Sequence, residues 1–147
     1  MTVRQLSLFL ENRPGQLRVP CRVLGEAGLD VLTMSLADTR EFGILRLVVE
    51  DWARARAVLE AAGQVVNVTD LLAIDVPARP GGLAEVLGAL ERAGLGIEYM
   101  YPFTTGDREG RATLLFRVED PAAAAPRLAA AGVPVVAAAE LFRRRRG

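Results

Sequence analysis

The sequence predicts an α+β protein made of two tandem copies of one β-α-β-β-α-β unit. Three observations carry this: an internal repeat, a two-residue alternation of apolar residues that opens each copy, and helices that all close on Ala-Gly. The repeat is visible in Arg13-Pro14-Gly15-Gln16-Leu17, echoed 66 positions later by Arg79-Pro80-Gly81-Gly82-Leu83, and in Ala27-Gly28-Leu29, echoed at the same shift by Ala93-Gly94-Leu95. Val49-Glu50-Asp51 and Ala61-Ala62-Gly63 return 69 positions on, as Val118-Glu119-Asp120 and Ala130-Ala131-Gly132. The three extra residues of the second copy belong in its Thr105-Gly106-Asp107-Arg108-Glu109-Gly110 loop. The copies divide near Thr69 into domains 1–69 and 70–147, with no Pro/Gly/Ser linker between them, so close coupling is expected.

Each element follows from its local pattern. Leu6, Leu8 and Leu10 alternate with Ser7 and Phe9, and Leu72, Ile74 and Val76 hold the matching places, so each copy opens with a half-buried strand. After each Arg-Pro-Gly turn a helix follows. Its stripe is Leu83, Val86, Leu87, Leu90 and Ala93 in the second copy and Leu17, Cys21, Leu24 and Ala27 in the first. Val31 to Ala37 and Gly43 to Val49 read as two strands, matched by Ile97 to Phe103 and Ala112 to Val118. Asp51 and Asp120 are placed to cap helices whose stripes include Ala55, Leu59, Ala62 and Ala124, Leu128, Ala131. Gly28, Gly63, Gly94 and Gly132 close the four helices, where a residue must turn left-handed. Pro20 and Pro126 fall inside helical patterns, so those helices either begin late or bend. Val65 to Val68 and Val135 to Ala138 close the copies. The result is ferredoxin-like: antiparallel sheets with helices on one face.

Composition restricts function. The chain has 147 residues, 51% hydrophobic and 5% aromatic, so its cores are aliphatic, and units of about 70 residues lie near the lower limit of independent stability. Eighteen basic residues, all Arg, balance eighteen acidic ones, which argues against nucleic acid or an anionic membrane as the main partner. No stretch has the length of a membrane span or the layout of a signal peptide, and the single cysteine allows no internal disulfide, so a cytoplasmic location is expected. With no histidine and only Cys21, imidazole triads, Cys/His dyads and zinc ligand sets are absent, and no metal or cofactor is expected. Cys21 is expected as a buried small hydrophobe. Gly94-Leu95-Gly96 follows a helix and precedes a strand, the reverse of a dinucleotide fingerprint. The Arg143 to Arg146 run reads as a solvated tail, because base-stacking aromatics are missing from the third strand of the first copy and only Phe116 is offered by the second.

The strand-to-helix turn Glu11-Asn12-Arg13-Pro14-Gly15-Gln16-Leu17 is the most specific signal. A helix N-terminus offers unpaired N–H groups to a carboxylate, a glycine allows close approach, and Asn12 adds a donor and an acceptor for a group bearing both carboxylate and ammonium. The same residue could instead cap the helix or shape the turn.

Asn-Arg-Pro-Gly-x-Leu after a strand, within a repeated β-α-β-β-α-β unit, resembles the ACT domain. The resemblance spans nearly the whole chain, twice. It is strongest to small stand-alone tandem ACT proteins, on Ser35-Leu36-Ala37-Asp38-Thr39 with Phe42-Gly43-Ile44-Leu45-Arg46 and on Ile97-Glu98-Tyr99-Met100-Tyr101. It implies a regulatory module that binds an amino acid or related small metabolite where two ACT units meet; the missing catalytic sets make the protein non-enzymatic by expectation, with a partner enzyme to regulate, and exposed strand edges are expected to be concealed in a homodimer. By the same resemblance Asn12, Arg13, Pro14, Gly15, Gln16 and Leu17 hold the polar head of the ligand. Glu98, Tyr99, Met100 and Tyr101 supply the facing strand, with Tyr99 or Tyr101 walling the pocket, one on each face. Ala37 and Asp38 belong to the equivalent strand of the first copy, and Asp38 is either an ammonium ligand or a turn former. The tyrosines could equally be sheet packing. Ala78 replaces Asn12 in the second copy, so unequal sites are expected. Two alternatives stand beside this reading: a ligand-free assembly module using exposed strand edges, and, more weakly, an RNA-binding ferredoxin-like protein.

Overall fold

The computed structural model describes residues 2–38, 40–103 and 110–146, so Thr39 and the loop 104–109 lie outside the described residues. Two compact units divide the chain: Arg4–Thr69, and Asp70–Gly147 together with Met1–Val3. The first copy runs β1 (Val3–Glu11), α1 (Arg18–Glu26), β2 (Thr33–Asp38), β3 (Phe42–Val48), α2 (Trp52–Ala61) and the opening residues of β4 (Val66–Pro77). The remainder of β4 leads the second copy, followed by α3 (Gly82–Arg92), β5 (Tyr99–Pro102), β6 (Arg111–Arg117), α4 (Pro121–Ala130), β7 (Val135–Val136) and α5 (Ala138–Arg146).

Strand order is β2-β3-β1-β4 in the first copy and β5-β6-β4-β7 in the second, the same ferredoxin-like order twice. The registers are antiparallel, with Leu8 opposite Leu45 and Leu36 opposite Leu45 in the first copy, and Ile74 opposite Leu114 in the second. The leucine alternation does what its period requires. Leu6, Leu8 and Leu10 enter a core with Leu24, Leu45, Leu47, Ala55 and Leu59, while Phe9, pointing the other way, is 65% exposed. Leu72, Ile74 and Val76 meet Val86, Leu90, Phe116 and Leu128 in the second core.

Helix boundaries follow the expected punctuation. The Asp51 and Asp120 carboxylates accept the Arg54 and Ala123 backbone N–H groups at 3.2 Å, and the four closing glycines all have left-handed φ, from +71° to +88°. Ala62 and Ala131 are not in the buried stripes: each sits at a C-cap and is exposed. Pro20 is resolved by a late start, since α1 begins at Arg18 and a proline in the first turn removes an N–H that has no intrahelical acceptor. Pro126 lies within α4, on its exposed side. Cys21 is half-buried rather than buried, because the inward stripe of α1 is set by Pro20 and Leu24.

The second copy departs from expectation at its end. Its closing strand is two residues long, and the arginine run is a helix rather than a solvated tail. Ala138 to Leu141 favour helix by composition, and Glu140 accepts hydrogen bonds from Arg143 and Arg144 at i+3 and i+4. Leu141 is fully buried. Asp75 alternates with the core residues Ile74 and Val76 and so points to the sheet face away from α3 and α4. There it receives Thr113 Oγ1 at 2.8 Å and Arg144 Nη1 at 3.0 Å. The second sheet therefore carries a helix on each face.

Candidate functional site

The turn after β1 is built almost entirely from its own backbone. Asn12 N–H donates to the Glu41 carbonyl at 2.8 Å, Arg13 N–H to Glu11 and Gln16 N–H to Arg13. Gly15 takes φ +89°, a conformation that L side chains rarely adopt. Asn12 does not cap the helix: its Nδ2 donates to the Arg40 carbonyl at 3.2 Å, tying the turn to the hairpin between β2 and β3. Arg13 is ion-paired with Glu11. The structure thus gathers Asn12 to Leu17 beside the hairpin that follows Ala37 and Asp38. Ala37 is exposed, and Asp38 pairs with Gly43 in the ladder.

Helix α1 then starts without a side-chain cap and without an acidic residue in its first turn. Its leading N–H groups hold a partial positive charge that no side-chain cap and no first-turn carboxylate neutralises. A hollow of about 230 Å³ opens beside them, lined by Gly15, Arg18, Val19 and Arg22. Neither arginine has an ion-pair partner among the described residues. The surroundings favour a carboxylate.

The corresponding turn of the second copy is already satisfied. Ala78 N–H reaches the Gly110 carbonyl at 2.8 Å, as Asn12 N–H reaches Glu41. Gly81 is the left-handed N-cap, and a Cβ on Gly82 would overlap the Pro77 carbonyl oxygen, so this turn is drawn tightly onto the end of β4. Glu85 stands in the first turn of α3, with both carboxylate oxygens 2.8 Å from Arg79 Nη2. Its counterpart 66 positions earlier is Val19. The second copy brings its own carboxylate to the helix start, and the first does not. That difference is present in the repeat, beside that between Asn12 and Ala78.

The facing-strand residues belong to the other unit and are described there. Glu98 precedes β5; its N–H donates to the Arg117 carbonyl, and its carboxylate is 3.0 Å from Arg117 Nε. Met100 packs against the second copy's core. Tyr99 and Tyr101 are not on opposite faces: two residues apart on a strand, they share one, with ring centroids 6.5 Å apart and planes 13° from parallel. Tyr101 is buried and Tyr99 half-buried.

Among the described residues no group of three or more His, Cys, Asp or Glu is placed to hold a metal, and no helix is long and apolar enough to cross a membrane. A family model described as an ACT domain pair matches residues 1–142. Protein BT0572 from Bacteroides thetaiotaomicron superposes with TM-score 0.87 at 35% identity, covering 97% of each chain. The regulatory subunit of aspartate kinase from Thermus thermophilus, in its ligand-free form, gives TM-score 0.63 at 19% identity over 88% of this chain and 92% of that one. The same subunit from Thermus flavus gives 0.63 at 18% identity over 98% and 93%. No curated protein matches.

Proposed function

Because the chain belongs to the ACT domain pair family, we propose that it is a non-enzymatic, cytoplasmic regulatory protein that binds an amino acid or related small metabolite where ACT units meet, in a homodimer that controls a partner enzyme. The observation that carries the reading is the unneutralised start of α1: an uncapped helix with no carboxylate in its first turn, behind a glycine turn, where the sister turn holds Glu85. The ligand carboxylate takes N–H groups of Leu17, Arg18 and Val19, since the Gln16 N–H is held by the Arg13 carbonyl, and Asn12 Oδ1 accepts from the ammonium group while Nδ2 stays on Arg40. Residues 98 to 101 of a partnering unit complete the wall. The neighbours named as regulatory subunits support a regulatory rather than a catalytic role.

The test is a thermal-shift screen of the full chain against the twenty amino acids and common 2-oxo acids. A ligand at a hundred times its Kd stabilises by about 2.7 kcal/mol. A clear upward shift for one chemical group, lost in Asn12→Ala, is expected. No shift at millimolar concentration sinks amino-acid sensing.

A second reading, an assembly module, draws on another observation. Phe9 and Phe42, with ring centroids 5.3 Å apart, and Met34 and Leu36 on the edge strand β2 are all more than 40% exposed. Asn12→Ala separates the two readings, since it leaves assembly measured by sedimentation unchanged.

A further inference from the structure

The second copy contains a larger cavity that the proposed site does not use. It opens at the edge of β4, where β7 stops after Val136, and holds about 580 Å³, within the range of roughly 300–1,000 Å³ usual for small-molecule sites. Pro134 lacks an N–H and cannot extend the ladder opposite Asp75, so β7 begins only at Val135, and after Val136 the chain turns into α5. The gap is floored by Val86 and Ala89 of α3 and walled by Val133, Pro134 and Val135.

Charge at the rim decides what can enter. Three carboxylates line the cavity, and each already holds arginine: Asp75 holds Arg144, Glu140 holds Arg143 and Arg144, and Glu85 holds Arg79. A cationic ligand would have to break one of those pairs. Among the lining arginines, Arg111 lies 3.9 Å from Asp75 and Arg144 is doubly paired, whereas Arg92 has no ion pair with a described residue. Arg92 shares a helix face with Ala89 and Glu85, one and two turns from them respectively, and its guanidinium folds back over Gly88. One unpaired guanidinium beyond an apolar floor matches one planar carboxylate on an apolar chain. A doubly charged phosphate would meet the same guanidinium with Asp75 and Glu140 still nearby.

We propose that this groove binds an amphipathic monocarboxylate, its chain or ring against Val86, Ala89, Val133 and Val135 and its carboxylate on Arg92. The site is independent of the Asn12 turn.

The test titrates octanoate, octanamide and octylamine into the full chain labelled at Val and Ala methyls and follows the methyl resonances of Val86, Ala89, Val133 and Val135. Saturable shifts at these methyls are expected for octanoate, with octanamide and octylamine weaker by about tenfold or more. Arg92→Gln, an exposed substitution, should weaken octanoate by a similar factor and bring it level with octanamide, while Asn12→Ala leaves it unchanged. Equal binding of octanoate and octanamide, indifference to Arg92→Gln, or no saturation at tens of millimolar would each overturn the proposal. Loss in Asn12→Ala would move the binding to the first-copy turn and overturn it as well. Failure of the amino-acid screen leaves every one of these outcomes readable.

Discussion

The turns after β1 and within the second copy share Arg-Pro-Gly and the same backbone tie to a neighbouring hairpin, but they end in opposite electrostatic states. At the start of α3 the chain supplies a carboxylate, Glu85, and an arginine to hold it, and presses Gly82 against the Pro77 carbonyl. At the start of α1 valine replaces the glutamate, glutamine replaces the glycine, and the arginine turns back to Glu11. Two copies of one motif thus differ by a few substitutions, one turn completing itself with its own carboxylate and the other, in the proposed function, taking a carboxylate from a ligand. The sheets diverge too: α5 is docked on the second through Asp75, whereas Phe9 and Phe42 on the first remain largely exposed.

The largest expected effect tests the second copy's extra helix. Leu141→Ala removes a fully buried side chain and should cost about 3 kcal/mol in chemical denaturation. A cost near zero would mean that α5 is not part of the folded unit.

Next comes the transplant of the self-completing device into the first copy. Val19→Glu places a carboxylate where Glu85 stands in the repeat, within reach of the α1 N-terminus. It should abolish the ligand-induced stabilisation, about 2.7 kcal/mol at a hundred times the Kd, in the thermal-shift assay. If the response survives, the contrast between the turns is not what selects the ligand.

Gly82→Ala should destabilise by about 2 kcal/mol through the clash with backbone that cannot move aside, while Gln16→Ala at the matching position changes stability by no more than about 0.5 kcal/mol. Equal costs would show the two turns to be equally tight.

The smallest effect is a pH dependence. Hydrogen bonds from Arg143 and then Arg144 hold the Glu140 carboxyl below its ordinary value of 4.5. A carboxyl more acidic when folded binds fewer protons than the unfolded chain over that interval. Its contribution is therefore present above 4.5 and is lost as the pH falls through the folded pKa. In Glu140→Gln the Tm at neutral pH should be slightly lower and the two curves should converge in acid, so that the acid limb of a Tm-against-pH curve is slightly shallower.

What was legible in the sequence was local. The leucine alternation, the aspartate caps and the closing glycines each depend on a few neighbouring residues and on periods of 2 and 3.6. What escaped was set by distant partners. Arg143 to Arg146 read as a tail because the stabilising contact, Arg144 with Asp75, spans 69 residues. Cys21 looked buried because helical spacing defines a stripe but not its centre. The tyrosines were misplaced for a plainer reason, since residues at i and i+2 on a strand always share a face. Glu85 is legible in the repeat, opposite Val19, where the difference in charge is larger than that between Asn12 and Ala78.

Asn12 gives the first turn a way to speak beyond itself. One amide would carry both ends of the conversation, with Nδ2 on the Arg40 carbonyl and, in the proposed function, Oδ1 turned to the ligand. An acceptor engaged by an ammonium group polarises the amide and strengthens the bond its nitrogen donates. Occupancy of the turn would then be registered as a stiffer hairpin at Arg40 and Glu41, between the strands β2 and β3. Slower amide exchange there would be the message by which a partner, touching neither ligand nor turn, learns that the metabolite is present.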